Sequence, residues 1–165
     1  MDVSLANRDI EGIVGRKIKM VTYKELAKYN KIDDLLSRNG EVVILYQTHD
    51  NYGHWTCLYR RKNNNIVFFD SYGNEPDEAL PYMMEYFRRH GKYLFPHLTS
   101  LLINSNRIIE YNDKKLQGPK SSTCGRYVAL RLILKDMSVD EFNSLFTKNM
   151  NLNDKLITYI TENLI

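Results

Sequence analysis

The chain has 165 residues, of which 43% are hydrophobic and 26% charged, and its formal net charge is +3. This length suits one domain, 1–165, with its own core, and the charge is too small for a dedicated nucleic-acid-binding protein. No apolar run approaches the ~18 residues that a membrane-spanning helix needs. The first residues do not resemble a signal peptide, so we expect a reducing compartment and no membrane association.

The cysteines and histidines exclude two further classes of protein. The two cysteines are too few for a disulfide framework. The four histidines are scattered without the spacing that is typical of metal ligands. We therefore expect neither a metal nor an organic cofactor.

The chain begins with a stretch that has no clear period, followed by short helical patterns. Residues 1–20 mix glycines, charges and apolar side chains, which indicates an irregular arm. Thr22 is followed three residues later by Glu25, a capping-box pattern that predicts a short helix to about Tyr29. A further helical turn or two is predicted at 32–36.

Three short segments then predict a small sheet. Residues 42–46, 54–61 and 66–71 are rich in β-branched and aromatic side chains, as is typical of strands. A polar loop is predicted at 48–53, and a polar turn at 62–65 joins the second and third strands into a hairpin.

The middle of the chain predicts a helix and a fourth strand. Pro76 and the acidic residues after it favour a helix start, and Gly91 favours its end. Residues 93–103 are ambiguous, because Pro96 argues against a central strand. A strand is predicted at 107–111.

The last third of the chain is predicted to be helical. A helix begins near Cys124, a capping box opens another over 138–146, and the last helix spans 151–164. Four apolar residues are predicted to share one face of the last helix: Leu152, Leu156, Tyr159 and Ile160. The order of elements predicts an α+β fold, with a mostly antiparallel central sheet flanked by helices.

The segment 117–125 carries the strongest chemical signal. A polar stretch with Gly and Pro excludes regular structure, and Thr123 is a good N-cap, so Cys124 lies at or near the first helical position. A thiol there faces unpaired N–H groups at the positive end of the helix dipole, which favours the nucleophilic thiolate. The same N–H groups suit an oxyanion, with the Gln117 amide as a second donor, and Gly125 allows a substrate backbone to approach.

A base and an orienting carboxylate are available on neighbouring predicted strands. His54 opens one strand and Asp70 lies at the end of the next, so antiparallel pairing would place them side by side. An imidazole held by a carboxylate is the arrangement that activates a cysteine nucleophile. His49 is the competing base, but it lies in the polar loop and lacks the tryptophan that follows His54.

The candidate residues also have purely structural interpretations. A histidine at a strand start, such as His54, is in isolation more often a surface or capping residue. Cys124 and Trp55 are residue types of hydrophobic cores, Asp70 would serve as an acceptor in a strand-end turn, and a loop glutamine such as Gln117 is usually solvated. Cys57 lies in mid-strand without an activating neighbour, and we expect it to be a packing residue.

In residue types and order, this set resembles the adenovirus proteinase (adenain) group and the related ubiquitin-like-protein proteases. The resemblance covers about 42–134, and the matching residues are His54, Trp55, Asp70, Gln117, Cys124 and Gly125. It implies a papain-like cysteine protease of the adenain type, with the nucleophile at a helix N-terminus. By this resemblance Cys124 is the nucleophile and His54 is the base. Asp70 is then the carboxylate that orients the imidazole, and Gln117 is an oxyanion donor. The resemblance also implies that the tryptophan and the glycine line a narrow substrate groove.

The resemblance further implies a biological setting. A compact chain with this minimal set looks like a maturation protease of a large DNA virus or virophage. Such an enzyme cleaves capsid or core precursor proteins after small, glycine-containing motifs, in the virion or in the host cytoplasm, and we expect a monomer. Two alternatives stay open: a protease of ubiquitin or ubiquitin-like modifiers, and an inactive binding or packaging protein with this fold.

Basic clusters raise the question of DNA. They lie at 16–19, 60–62, 88–89 and 114–115. If they converge on one face, weak, non-specific and salt-sensitive DNA binding is expected. Ordinary surface charge for solubility is the alternative interpretation.

Overall fold

A five-stranded sheet forms the centre of the computed structural model, which describes residues 7–49, 52–89 and 95–164, with the backbone alone at 84 and 86–89. In spatial order its strands are β1 (Met20–Thr22), β2 (Glu41–His49), β3 (Tyr52–Arg60), β4 (Ile66–Phe69) and β5 (Ile109–Tyr111). The described helices are α1 (Asn7–Val14), a 3₁₀ helix (Tyr23–Lys28), α2 (Ile32–Leu35), α3 (Leu80–Arg89), α4 (His97–Asn104), α5 (Cys124–Ile133), α6 (Val139–Asn143) and α7 (Met150–Glu162).

The sheet is mixed rather than mostly antiparallel. The three central strands β2, β3 and β4 pair in antiparallel fashion, whereas β1 runs parallel to β2 and β5 runs parallel to β4. Each parallel pair is joined by a crossover that contains helices, as parallel pairing requires. The α+β class is therefore confirmed, and the prediction of strand direction holds for the central strands.

Helices cover both faces of the sheet, because the central strands are apolar on both sides. On β2, Val43 and Leu45 face one hydrophobic cluster, and Val42 and Ile44 face the other. The first cluster includes residues of α1, α5, α6 and α7, and the second includes residues of the 3₁₀ helix, α2, α3 and α4. The helix α5, which begins at Cys124, and the helix α3 thus lie on opposite faces.

The prediction of an irregular N-terminal arm was wrong for the described residues from 7 onward. Residues Asn7–Val14 form α1, whose Ile10 and Ile13 are buried in the cluster that α5 also joins. Two apolar positions one turn apart are enough for this short helix, because tertiary packing stabilises it. Gly15, with a φ of 84°, follows the last turn in the left-handed conformation.

The predicted loop at 48–53 is largely strand. β2 continues to His49 and β3 begins at Tyr52, with a register shift between Gln47 and His49. Gly53 makes this close pairing possible, since a Cβ there would lie 2.1 Å from the carbonyl oxygen of Tyr46. The glycine before His54 is therefore a structural requirement of the hairpin.

The segment after β4 differs from the predicted helix at Pro76. Asp77 has a φ of 68°, outside the helical region, and α3 begins at Leu80. The Asp77 carboxylate accepts hydrogen bonds from the Tyr23 hydroxyl at 2.8 Å and the Tyr46 hydroxyl at 3.1 Å. It also accepts from the backbone N–H and the hydroxyl of Thr99 at 2.8 and 2.7 Å. The predicted end at Gly91 lies outside the described residues.

Residues 93–103, which the sequence left ambiguous, include most of the helix α4, which begins directly after Pro96. Three of the four residues predicted to share the apolar face of α7 are exposed, whereas Ile160 packs against the first cluster: Leu152 is 53%, Leu156 39% and Tyr159 70% exposed. The buried residues of α7 include two polar ones, Asn153 and Thr161, whose side chains hydrogen-bond within the core.

Candidate active site

His54 and Asp70 meet at the end of the sheet where β3 begins and β4 ends. Phe69, the last residue of β4, pairs with Cys57 of β3. Asp70, the next residue after Phe69, is therefore the diagonal neighbour of His54 across the two strands. Diagonal neighbours on one face are within reach of each other. The His54 Nε2 donates a hydrogen bond of 2.7 Å to Asp70 Oδ1.

The Asp70 carboxylate is 1% exposed and fully engaged. Its Oδ1 also accepts the Tyr72 backbone N–H at 2.8 Å, and its Oδ2 accepts the Asn74 side-chain amide at 3.1 Å. These donors compensate the cost of burying a charge. Because a carboxylate only accepts, Nε2 of His54 carries the proton, and Nδ1 is the nitrogen that remains for the thiol.

The imidazole of His54 is held between a ring, a carboxylate and a thiol. Its side chain is 15% exposed and stacks on Tyr72, with ring centroids 4.7 Å apart and planes at 28°. Burial opposes a charge on this ring, but the charge and hydrogen bond of Asp70 and the hydrogen bond with Cys124 outweigh it and raise the pKa of His54 to about 10. The ring is therefore protonated at neutral pH.

Cys124 is the first residue of α5 and is the second polar partner of the His54 imidazole. The thiol is buried, and its side chain hydrogen-bonds to His54. As the first helical residue, Cys124 has a backbone N–H without an intrahelical acceptor. The structure thus brings together three of the four predicted polar residues in a single chain of contacts from carboxylate to thiol.

Gln117 is anchored in the loop before Cys124 rather than solvated. It is 1% exposed, its Oε1 accepts the Ser71 hydroxyl at 2.5 Å, and its Nε2 donates to the Ser121 carbonyl at 3.0 Å. An amide nitrogen has two hydrogens, and within the described part of the chain one of them remains available. Its role as an oxyanion donor stays a prediction.

Asp154 on α7 holds both ends of this loop, a role that the sequence did not predict. Its Oδ2 accepts the Gly118 N–H at 3.0 Å, and its Oδ1 accepts the hydroxyls of Thr123 at 3.1 Å and Tyr127 at 2.9 Å. A Cβ on Gly118 would lie 2.8 Å from Oδ2, so the carboxylate needs a glycine there. The glycine is the local sign in the sequence that something approaches this loop closely.

The remaining predicted residues lie around the centre. Trp55 is buried in the cluster that contains Cys124, and Gly125 is buried as the second residue of α5, so their place in a substrate groove stays a prediction. His49 is exposed and contacts Tyr52 rather than the carboxylate of the site. Cys57 is 0% exposed, and burial raises the pKa of its thiol to about 12, as expected of a packing residue.

Several basic residues of the predicted DNA clusters are paired with carboxylates. Arg60 contacts Asp33 at 3.2 Å, Arg61 contacts Glu110 at 3.1 Å, and Arg16 contacts Glu41 at 2.8 Å. The side chains of 88–89 lie outside the described ones. DNA binding stays a prediction.

Neither a metal cluster nor a membrane span is found in the described ranges. Within 7–49, 52–89 and 95–164, no group of three His, Cys, Asp or Glu side chains is arranged to hold a metal ion. None of the helices described there combines the length and the apolar composition needed to cross a membrane.

Fold and site define an α+β protein with a Cys–His–Asp cluster at one end of its sheet. No protein-family model matches the chain. The chain is 38% identical to "Uncharacterized protein V9" of Sputnik virophage over 165 aligned positions, which cover 96% of this chain and 94% of that protein. It therefore belongs to the family of that virophage protein. Among solved structures it is similar to the central domain of the uncharacterized Lpg1148 protein from Legionella pneumophila, with a TM-score of 0.42 and 12% identity over 98% of this chain and 97% of that one.

Proposed function

We propose that the protein is a cysteine endopeptidase of the adenain type, with a papain-like catalytic arrangement. The observation that supports this most is the chain of contacts at the sheet end. The buried Asp70 holds His54 at 2.7 Å, and His54 hydrogen-bonds to Cys124 at the start of α5. A nucleophile, a base and an orienting group in this order form the unit that cysteine and serine peptidases share.

In the proposed reaction the proton of the Cys124 thiol already resides on Nδ1 of His54 before the substrate binds, so the reacting pair is a thiolate and an imidazolium. The thiolate attacks the carbonyl carbon of the scissile peptide, and its electron pair forms the C–S bond while the carbonyl oxygen becomes an oxyanion. Collapse of this intermediate breaks the C–N bond, and the imidazolium donates its proton to the leaving amine. Water, deprotonated by the neutral imidazole, then hydrolyses the thioester, and departure of the sulfur restores the thiolate and the imidazolium.

The oxyanion requires donors on the carbonyl side of the sulfur. The backbone N–H of Cys124 and the remaining N–H of Gln117 are the groups that we assign to it. In comparable acyl-transfer sites one such donor contributes roughly 2.7–4 kcal/mol to transition-state stabilisation. The hydrogen bonds of Gln117 to Ser71 and Ser121 support this role, because they hold the amide in a single orientation.

We propose a viral setting and precursor proteins as substrates. The family membership supports the setting, since the relative comes from a virophage. On this proposal the enzyme cleaves capsid or core precursors after small, glycine-containing motifs during particle maturation, in the virion or the host cytoplasm. The substrate class rests on the resemblance of the motifs.

The test is to incubate the protein with candidate virion precursors and with ubiquitin-like fusions, and to identify any cut by mass spectrometry. Cys124→Ala is expected to abolish cleavage, whereas the matched control Cys57→Ala keeps it, because Cys57 only packs in the core. Cleavage of the modifier fusions alone would favour the ubiquitin-like-modifier protease. A wild-type protein that cuts none of these, although folded, would favour an inactive binding protein.

A further inference from the structure

The outer face of α7 carries an apolar stripe, which consists of Leu152, Leu156 and Tyr159. The three residues recur at helical spacing and are 53%, 39% and 70% exposed. Single exposed apolar residues are ordinary, but three on one face of one helix form a contiguous patch, and such patches mark interaction sites. Their exposure means that no described element covers the stripe.

An open groove of about 770 Å³ lies at the N-terminal end of the same helix. It is lined by the loop before Cys124 and by the start of α7, namely 118–121, 148–151, Asp154 and Lys155. Leu152 and Leu156 each directly follow a residue that lines the groove, and one position on a helix is a rotation of about 100°. The apolar stripe therefore runs beside the groove.

Three lysines give the groove a positive charge. Lys120, Lys148 and Lys155 are exposed, and among the described residues no carboxylate lies within ion-pair distance of their amino groups. Asp154 also lines the groove, but both of its oxygens accept hydrogen bonds from the loop and from α5. Three lysines against one engaged carboxylate leave the groove positive, which suits an acidic partner.

The loop 118–121 connects this groove with the proposed active site. Pro119 lines both the groove and a cavity that His54 also lines. The Ser121 carbonyl accepts the Gln117 amide at 3.0 Å, and Ser121 lies three positions before Cys124. A protein bound in the groove would thus lie against the loop that leads to the nucleophile.

We propose that the apolar stripe and the groove together form a docking surface for an acidic amphipathic segment of a protein. The stripe binds the apolar side chains of that segment, and the lysines attract its carboxylates. Nucleic acid would satisfy the lysines but leave the stripe in water, so the combination favours a protein. The identity of the partner rests on the proposed function: the segment belongs to the precursor and lies away from its scissile bond.

The first experiment measures binding without cleavage. The probe is a fluorescent synthetic peptide with leucines at i, i+4 and i+7 and glutamates beside them, and its anisotropy is measured with the Cys124→Ala protein. We expect at least about tenfold tighter binding than for the same peptide with lysines in place of the glutamates. The binding should weaken at high ionic strength, because the exposed charges are then screened.

Two variants separate the apolar from the charged contribution. Leu152→Gln should weaken peptide binding about tenfold, because glutamine keeps the helix propensity and loses apolar contact area. Its matched control is Ile103→Gln, at a residue of α4 that is 70% exposed on the other face of the sheet. Lys155→Glu should also weaken binding about tenfold, and its matched control is Lys24→Glu, on the exposed side of the 3₁₀ helix. Thermal unfolding of each variant shows whether it is folded.

The second experiment tests whether the docked segment belongs to a substrate. One cleavable peptide is compared with and without the acidic segment attached at a distance from the cut. The segment is expected to lower KM with little change in kcat, because its contacts are the same in the ground state and the transition state. Leu152→Gln should remove this gain and leave cleavage of the plain peptide unchanged.

The outcomes separate this inference from the proposed function. Equal binding of the acidic and the lysine peptide, or equal effects of the variants and their controls, would overturn the docking surface and leave the peptidase intact. Tighter binding of duplex DNA that Leu152→Gln does not affect would assign the groove to nucleic acid and overturn it as well. Peptide binding as expected, with no cleavage of any precursor by the wild type, would overturn the proposed function and leave the surface as a site for a partner.

Discussion

The charge of the imidazole is the property of this site that a single substitution tests most directly. Asp70→Asn keeps the size of the side chain and its capacity to accept from Nε2 of His54, but it removes the negative charge. In the wild-type protein the pKa of His54 is raised from 6.5 to about 10 although burial opposes the charged ring. The charge of Asp70 is the largest cause that raises this pKa, so we expect the pKa of His54 to fall clearly below about 10 in the variant.

The size of the effect follows from the same values. The difference between about 10 and 6.5, at about 1.36 kcal/mol per pKa unit, is on the order of 5 kcal/mol of preference for the charged ring. Because the folded-state pKa of His54 is raised, its stabilising contribution is complete below pH ~6.5 and is lost as the pH rises through about 10. The free energy of unfolding of the wild type should therefore fall over this range, and that of Asp70→Asn should change much less.

The assay is an NMR titration of the imidazole resonances between pH 5 and 11, combined with denaturant unfolding at the same pH values. His54→Gln assigns the resonance. Asp136→Asn is the matched control, since it removes an exposed carboxylate beyond the other end of α5. A wild-type His54 that titrates near 6.5, or an Asp70→Asn variant that still titrates near 10, would refute the assignment of Asp70 as the group that favours the charged form of the His54 imidazole.

Three further predictions concern the framework of the site. Asp154→Ala removes the acceptor of three hydrogen bonds from the loop before Cys124 and from α5. It should lower the free energy of unfolding by about 2–4 kcal/mol in a denaturant titration, and a loss below that of an exposed-residue control would argue against this bracing role. Iodoacetamide should label Cys124, which contacts His54, and spare Cys57, which is 0% exposed and has a raised pKa, as peptide mapping would show. Loss of activity that follows labelling of Cys57 would reverse the assignment of Cys124 as the nucleophile. Asp77→Ala should lower the free energy of unfolding by about 3–5 kcal/mol. The substitution leaves four hydrogen-bond donors without their acceptor and puts alanine at a left-handed backbone position. Asp77→Asn, which tolerates that φ and keeps an acceptor, should cost clearly less in the same titration.

The parts of the site that were predictable from the sequence depend on local pattern. The alternating strand that begins near His54, the polar turn at 62–65 and the strand that ends before Asp70 form one antiparallel hairpin, and its register brings the two side chains together. The helix that begins at Cys124 follows from a polar, glycine-containing segment before an apolar period. In both places neighbours in sequence decide the structure.

The parts that were not predictable depend on contacts between distant residues. Asp77 has a left-handed conformation, and its carboxylate accepts hydrogen bonds from Tyr23, Tyr46 and Thr99, none of which is a sequence neighbour. Asp154 reaches Gly118 across 36 positions. No period or cap marks either residue, so hydrophobic patterns alone could not identify them.

The last helix shows a second limit of pattern reasoning. Its apolar stripe includes Leu152 and Tyr159, yet Asn153 and Thr161 face the core. The amide of Asn153 donates to the carbonyls of Leu116 and Thr147, so the loop before Cys124 is braced by a polar residue. Hydrogen bonds of this kind decide which face of the helix is buried, and the spacing of apolar side chains carries no information about them.

The order in which the strands follow one another also bears on how the protein is made. β2, β3 and β4 are consecutive in sequence, and the contact between His54 and Asp70 spans 16 positions, so this unit is available early during synthesis. The Cys124 thiol is synthesised much later, and α5 must pack on the completed sheet before its sulfur contacts the His54 imidazole. On the proposed activity, a nascent chain carries a complete base but no nucleophile, and it cannot cut its neighbours on the ribosome until its own fold has closed.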